Sequence, residues 1–236
     1  MDLSLLVWGD AGWSDEMLRG ALMTLAVATA AYAFSILVGS LFAACKLSSW
    51  LILRLLADVY TTVVRGIPEL LIIYLVFFGG GVLLRSVASG IFGFEGYIDP
   101  PLFVTGLVCI GVSAGAYNTE VIRGAVQAVP RGQIEAAKAI GMSTGQRFWR
   151  VLLPQTARYA LPGLGNVWQL TLKETSLISV IGLVEIMRQA AVAAGSTKEP
   201  FTFYLVAAVL YLGLTSLSNQ GFRRAEVWAN RGVRYG

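Results

Sequence analysis

Between Arg19 and Lys46 the chain carries no charged side chain. About 20 apolar residues suffice for a helix to cross a bilayer. Inside a bilayer every backbone N–H and C=O must be satisfied without water, which restricts a spanning segment of this kind to a helix. The same signal returns along the chain. A second run extends from about Leu55 to Leu84, a third from Leu102 to Val126, a fourth from Leu161 to Leu183 and a fifth from Phe201 to Phe222, while Arg85 to Pro101, Gly-rich with Glu95 and Asp99, and the polar stretch Glu185 to Pro200 read as loops. Charged residues make up 14% of the chain, where a soluble domain has roughly a quarter. The predicted fold is an all-α integral membrane protein with five transmembrane helices and no internal repeat, built as one domain over residues 20–219.

The charges give a topology. Of the 18 Lys and Arg residues, twelve fall in the first loop, the long loop after the third run and the C-terminal tail, from Lys46 and Arg54 through Arg131, Lys138 and Arg147 to Arg223 and Arg234. Four fall on the other side (Arg19, Arg85, Arg188 and Lys198), and Arg65 and Lys173 lie within runs. The positive-inside rule then puts the N-terminus outside and residues 220–236, a basic tail, in the cytoplasm. Residues 1–19, with Asp2, Asp10, Asp15 and Glu16 before any basic residue, are unlike a cleaved signal and are expected on the outer face. The net charge of +4 is explained by topology, so nucleic acid is not an expected partner; membrane lipid is. The chain has no histidine, which removes histidine metal sites and histidine bases, and no metal is expected. Cys45 and Cys109 stand far apart in apolar surroundings and read as packing residues.

Polar chemistry collects in three places inside the runs. Asn166, Gln169 and Lys173 form one helical stripe, with Glu174 on the adjacent face. A charge within a span needs a partner or a polar cavity. Lys173 either pairs with an acid such as Glu120 or lines a path with Glu174. Arg65-Gly66-Ile67-Pro68-Glu69 interrupts the second run, since proline disturbs the bonding of its turn. There Arg65 is expected to meet freed carbonyls, Asp58 or Glu69, and the stretch reads either as a structural hinge or, through Glu69, as a substrate contact. Tyr117 and Glu120 share a face of the third run and either line the same cavity or make interhelical hydrogen bonds.

The loop from Glu135 to Pro154, EAAKAIGMSTGQRFWRVLLP, is basic and amphipathic. Gln133 to Ile140 reads as a helix broken at Gly141. Ser143 or Thr144 would cap a second helix over Gly145 to Leu153, which Pro154 would stop. Two uses fit this pattern: a helix pair lying on anionic lipid, or a knob held by a cytoplasmic partner.

Glu135-Ala136-Ala137, Gly141, Val151 and Leu153-Pro154 fit the EAA loop of ABC-importer permeases, with Val151 in place of isoleucine as the one departure. The stretches Val64–Leu70, Gly115–Gly124 and Leu172–Leu177 resemble those of polar amino acid uptake permeases. From about Gly20 to Asn219 the chain most resembles the histidine, lysine–arginine–ornithine and octopine/nopaline uptake permeases. The resemblance implies a type I importer permease in a bacterial inner membrane, with a periplasmic N-terminus. It implies Glu174 as an acid for a basic amino acid or opine substrate, with Asn166, Gln169, Lys173, Tyr117, Glu120 and Glu69 as further candidates. It also implies that Glu135, Ala136, Ala137, Gly141, Met142 and Ser143 couple to an ATPase. The implied partners are a second homologous permease subunit giving a heterodimer, a homodimeric ATPase and a periplasmic substrate-binding protein. No G-x-x-x-x-G-K-[ST] occurs, so ATP and Mg would be bound by the ATPase, and this chain is expected to be neither an enzyme nor a cofactor carrier. A gradient-driven secondary transporter or channel explains the intramembrane charges equally well but not the glycine-hinged loop.

Overall fold

A computed structural model describes residues 3–9, 12–92 and 100–231. It contains α1 (Ser14–Leu47), α2 (Leu51–Gly66), α3 (Glu69–Phe92), α4 (Leu102–Ala128), α5 (Arg131–Ala139), α6 (Thr144–Arg147), α7 (Leu153–Glu174), α8 (Ile186–Thr197) and α9 (Pro200–Ala229). A π-helical turn, Phe148–Leu152, precedes α7 and a 3-10 segment, Thr175–Ile181, follows it. Helices α1, α4 and α9 are each long and apolar enough to cross a membrane, and two bent pairs bring the number to five. In the first pair α3 turns 105° from α2, and in the second α8 turns 49° from the α6–α7 rod.

Helices α1 and α4 form the spine. They run side by side in the same direction: Gly111 sits against Ala31 and Phe34, Gly115 against Val38, and Gly39 against Asn118. A Cβ on Gly39 would lie 2.7 Å from that of Asn118, so only glycine permits this approach. Small interfacial residues of this kind are the usual means of helix association in lipid, where apolar burial supplies no drive. Asn118 Nδ2 donates to Ser35 Oγ at 2.8 Å in the same seam.

Two tyrosines fasten the other spans to the spine. Tyr60 on α2 stacks on Phe42 with 4.1 Å between ring centroids and donates to the Val112 carbonyl at 2.6 Å. Tyr32 on α1 meets Trp168 edge-on and donates to the Leu164 carbonyl of α7 at 2.8 Å. The large side chains left exposed on α2, α3 and α9, among them Leu55, Val59, Leu75, Phe78 and Leu212, are apolar and suited to lipid or to a second subunit.

Several expectations change here. Residues 185–200, read as a polar loop, contain α8. Ile186, Ala190, Ala193 and Ala194 repeat at helical spacing and bury against Met17, Ala21, Phe203 and Ala207. Glu185 caps this helix with its side chain: Oε1 accepts from the Arg188 N–H at 2.8 Å, and Oε2 from the Tyr211 hydroxyl at 2.8 Å. The stretch from Arg85, also read as loop, continues α3 to Phe92; Glu95 and Asp99 lie outside the described residues, as do Asp2, Asp10 and Arg234. The tail begins as helix, since α9 reaches Ala229. Pro154 does not stop the rod. The Leu153 N–H bonds to the carbonyl of Phe148, five residues back, and Pro154 then occupies the first turn of α7, where a missing N–H costs little. The π turn is the adjustment that lets a helix pass through this proline.

Candidate functional site

The break between α2 and α3 places Glu69 as the first residue of α3, next to Pro68. Glu174 is the last residue of α7, where the α-helix tightens into the 3-10 segment. The two carboxyl groups lie beside each other, and Ser113 of α4 adjoins Glu69. Oε1 of Glu69 and Oε2 of Glu174 are both buried and meet no donor among the described residues. Facing carboxyl groups in a medium of low dielectric repel strongly unless a cation or a shared proton lies between them.

A second polar group lies beside the first loop. Lys46 Nζ is 2.8 Å from Asp58 Oδ1 of α2 and 2.6 Å from Glu120 Oε1 of α4, and Glu120 Oε2 accepts from Arg123 at 2.8 Å. The Lys46 side chain is only 10% exposed. One ammonium therefore ties three helices together.

The loop between α4 and α7 forms a projecting knob. Helix α5 ends in a Schellman turn: the Met142 N–H bonds to the Ala137 carbonyl at 3.1 Å and the Gly141 N–H to that of Lys138 at 3.0 Å. The turn needs φ of +81° at Gly141, a conformation natural to glycine. Ser143 then starts α6 with a capping box. Its Oγ accepts from the Gln146 N–H at 3.3 Å, and Gln146 Oε1 accepts from the Ser143 N–H at 2.9 Å. The two local hydrogen-bonded motifs fix the knob's shape without help from a partner.

A family model described as "Binding-protein-dependent transport system inner membrane component" matches residues 35–224. The chain belongs to that family. It is similar to the nopaline transport system permease protein NocQ of Agrobacterium fabrum, with 71% identity over 234 residues, 99% of each chain. It is 42% identical to the histidine/lysine/arginine/ornithine transport system permease protein HisQ of Escherichia coli, over 88% of this chain and 90% of the relative. Among solved structures, a chain of an amino acid ABC transporter studied with histidines superposes with a TM-score of 0.78 at 30% identity, over 91% of this chain and 94% of that one. As an inner membrane transport component, the chain is not itself an enzyme.

Within this permease frame, the residues expected to share one cavity divide. Glu69 and Glu174 come together. Glu120 pairs with Lys46 and Arg123, not with Lys173, because it lies on α4 beside the end of α1. Gln169 donates to Asn219 of α9 at 2.9 Å, and Asn166 is exposed. Lys173 lines a cavity of about 470 Å³ with Ser176, Met187, Tyr204 and Tyr211, on the α8–α9 side. Arg65 pairs with neither Asp58 nor Glu69; its guanidinium carbon stands 5.1 Å from the centre of the Tyr117 ring. In the knob Glu135, Ala136, Gly141 and Ser143 are exposed and Met142 is half-buried, whereas Ala137 is buried and packs inward. The Lys46 hub escaped sequence reading: Lys46, Asp58 and Glu120 stand on three different helices, and the signal in the sequence is a lysine ending an apolar run.

Proposed function

We propose that this chain is the membrane-spanning subunit through which a cationic amino acid or opine enters the cell, and that Glu69 and Glu174 hold the cationic group of the cargo. The observation that carries this reading is the neighbouring pair of half-buried carboxyl groups at the break of a span, each with one oxygen out of solvent and without a donor among the described residues. It matches the substrates named for the relatives, nopaline in one and histidine, lysine, arginine and ornithine in the other. Glu120 and Gln169 are turned to other contacts, so they serve the frame, Lys173 faces the neighbouring cavity, and Tyr117 serves the site through Arg65.

The distribution of basic residues supports an outer N-terminus and a knob in the cytoplasm. There the exposed Glu135, Ala136, Gly141 and Ser143 meet a homodimeric ATPase that binds ATP and Mg. A second homologous permease subunit covers the exposed apolar faces, and a periplasmic binding protein delivers the substrate. A rigid knob continuous with α7 transmits ATPase closure along the rod to Glu174 at its far end. The test is uptake in membrane vesicles carrying the whole complex. Removing ATP while holding the membrane potential should abolish uptake. Uptake that survives on the potential alone would replace this reading with a gradient-driven carrier.

A further inference from the structure

Arg65 is the second-to-last residue of α2, at the turn into α3. It makes no hydrogen bond or ion pair among the described residues, and only one face of its guanidinium is engaged, by the Tyr117 ring. A guanidinium has five N–H donors around its edge, and a ring beneath it satisfies none of them. The cavity it borders, about 490 Å³, is lined by Lys46, Thr61, Thr62, Gly66, Tyr117 and Glu120 as well. The neighbouring charges nearly cancel: Lys46 and Arg123 are matched by Asp58 and Glu120. Arg65 is the surplus cation. Its side chain is exposed on this single chain, open to an anion that enters the cavity.

Its place relative to the acids is fixed by α4. Ser113 adjoins Glu69, and Tyr117, under Arg65, is four residues further along the same helical face. Four residues of helix rise about 6 Å between the two backbone positions. The acids and the guanidinium thus flank successive turns of one helical face, so that a single ligand can offer a cationic group to the acids and a carboxylate to the guanidinium.

We infer that Arg65, supported by Tyr117, is the carboxylate subsite of the translocation path, so that the permease itself reads both ends of a basic amino acid-like substrate. This rests on the proposed cation site at Glu69 and Glu174. It assigns the permease a share of selectivity beyond that of the binding protein.

The test uses the purified complex in lipid nanodiscs without its binding protein, titrated with arginine and with agmatine, its decarboxylated analogue. The unaltered complex should bind arginine about tenfold tighter, the order expected of one charge-assisted pair. Arg65→Gln should bring the two ligands within about twofold, and Arg65→Lys should keep part of the preference. Retention of the full preference in Arg65→Gln would overturn the carboxylate subsite. Loss of complex stability in Arg65→Gln with an unchanged preference would also overturn it, pointing to an acid of another subunit as the partner of Arg65. Glu174→Gln in parallel separates the two readings: if it leaves binding of both ligands unchanged, or if neither ligand binds the unaltered complex, the cation site itself is wrong.

Discussion

Glu174, the last residue of α7, faces Glu69, the first residue of α3, across the break in the second span. The N-terminus of α3 favours the carboxylate of Glu69, while Glu174 lies within a helical path that the 3-10 segment carries on to Ile181. Together the two acids make a half-buried point of attraction for a cation, at a place where the main chain is already broken at Gly66 and Pro68.

The exposed face of the knob should be separable from its interior. Ala136 is exposed and Ala137 is 5% exposed. Ala136→Glu is expected to abolish co-purification of the ATPase while leaving the thermal stability of the permease unchanged. Ala137→Glu should lose both, since a buried unpaired carboxylate opens the knob. Equal ATPase recovery for Ala136→Glu and the unaltered protein would remove this face from the docking surface.

The α1–α4 seam should not tolerate a larger residue at Gly39. Gly39→Leu forces the two helices apart against Asn118 and is expected to cost about 1–3 kcal/mol, or more if the Asn118–Ser35 bond is lost. Thermal unfolding of the detergent-solubilised complex measures this. A melting temperature unchanged within error would show that the seam is looser than described.

Lys46 and Glu120 should prove energetically coupled. Lys46→Met leaves Asp58 and Glu120 without their ammonium, and Glu120→Gln takes one of its two carboxylates from Lys46 and the ion pair from Arg123. A double-mutant cycle on thermal stability is expected to give an interaction of about 1–3 kcal/mol. Additivity within about 0.5 kcal/mol would make the hub a set of independent surface charges.

Much of this architecture was legible before the structure. Apolar runs located the spans because a bilayer permits no other reading of them, and the break at Gly66–Pro68 announced itself by the proline. Gly141 and Ser143 declared a helix end and a helix start through local rules that no tertiary contact overrides. Other features depended on contact. Helix α8 was hidden because its buried stripe is mostly alanine, which carries little hydropathic signal beside Arg188, Gln189 and Lys198. Pro154 was misread as a stop because a π turn, invisible to residue periodicity, absorbs it. The pairing of Glu69 with Glu174, and of Lys46 with both Asp58 and Glu120, joins residues on different helices, and single-helix spacing holds no information about either.

The central claim is that Glu69 and Glu174 form the cation site of the path. Its most direct measurement is ATP-driven uptake in vesicles by Glu174→Gln, with a cationic and a neutral substrate compared at equal saturation of the binding protein. Uptake of the cationic substrate is expected to fall by about tenfold or more, the order of one lost charge-assisted contact, and that of the neutral one by much less. Equal losses for both, with the complex intact, would contradict the claim and make the acidic pair a structural feature.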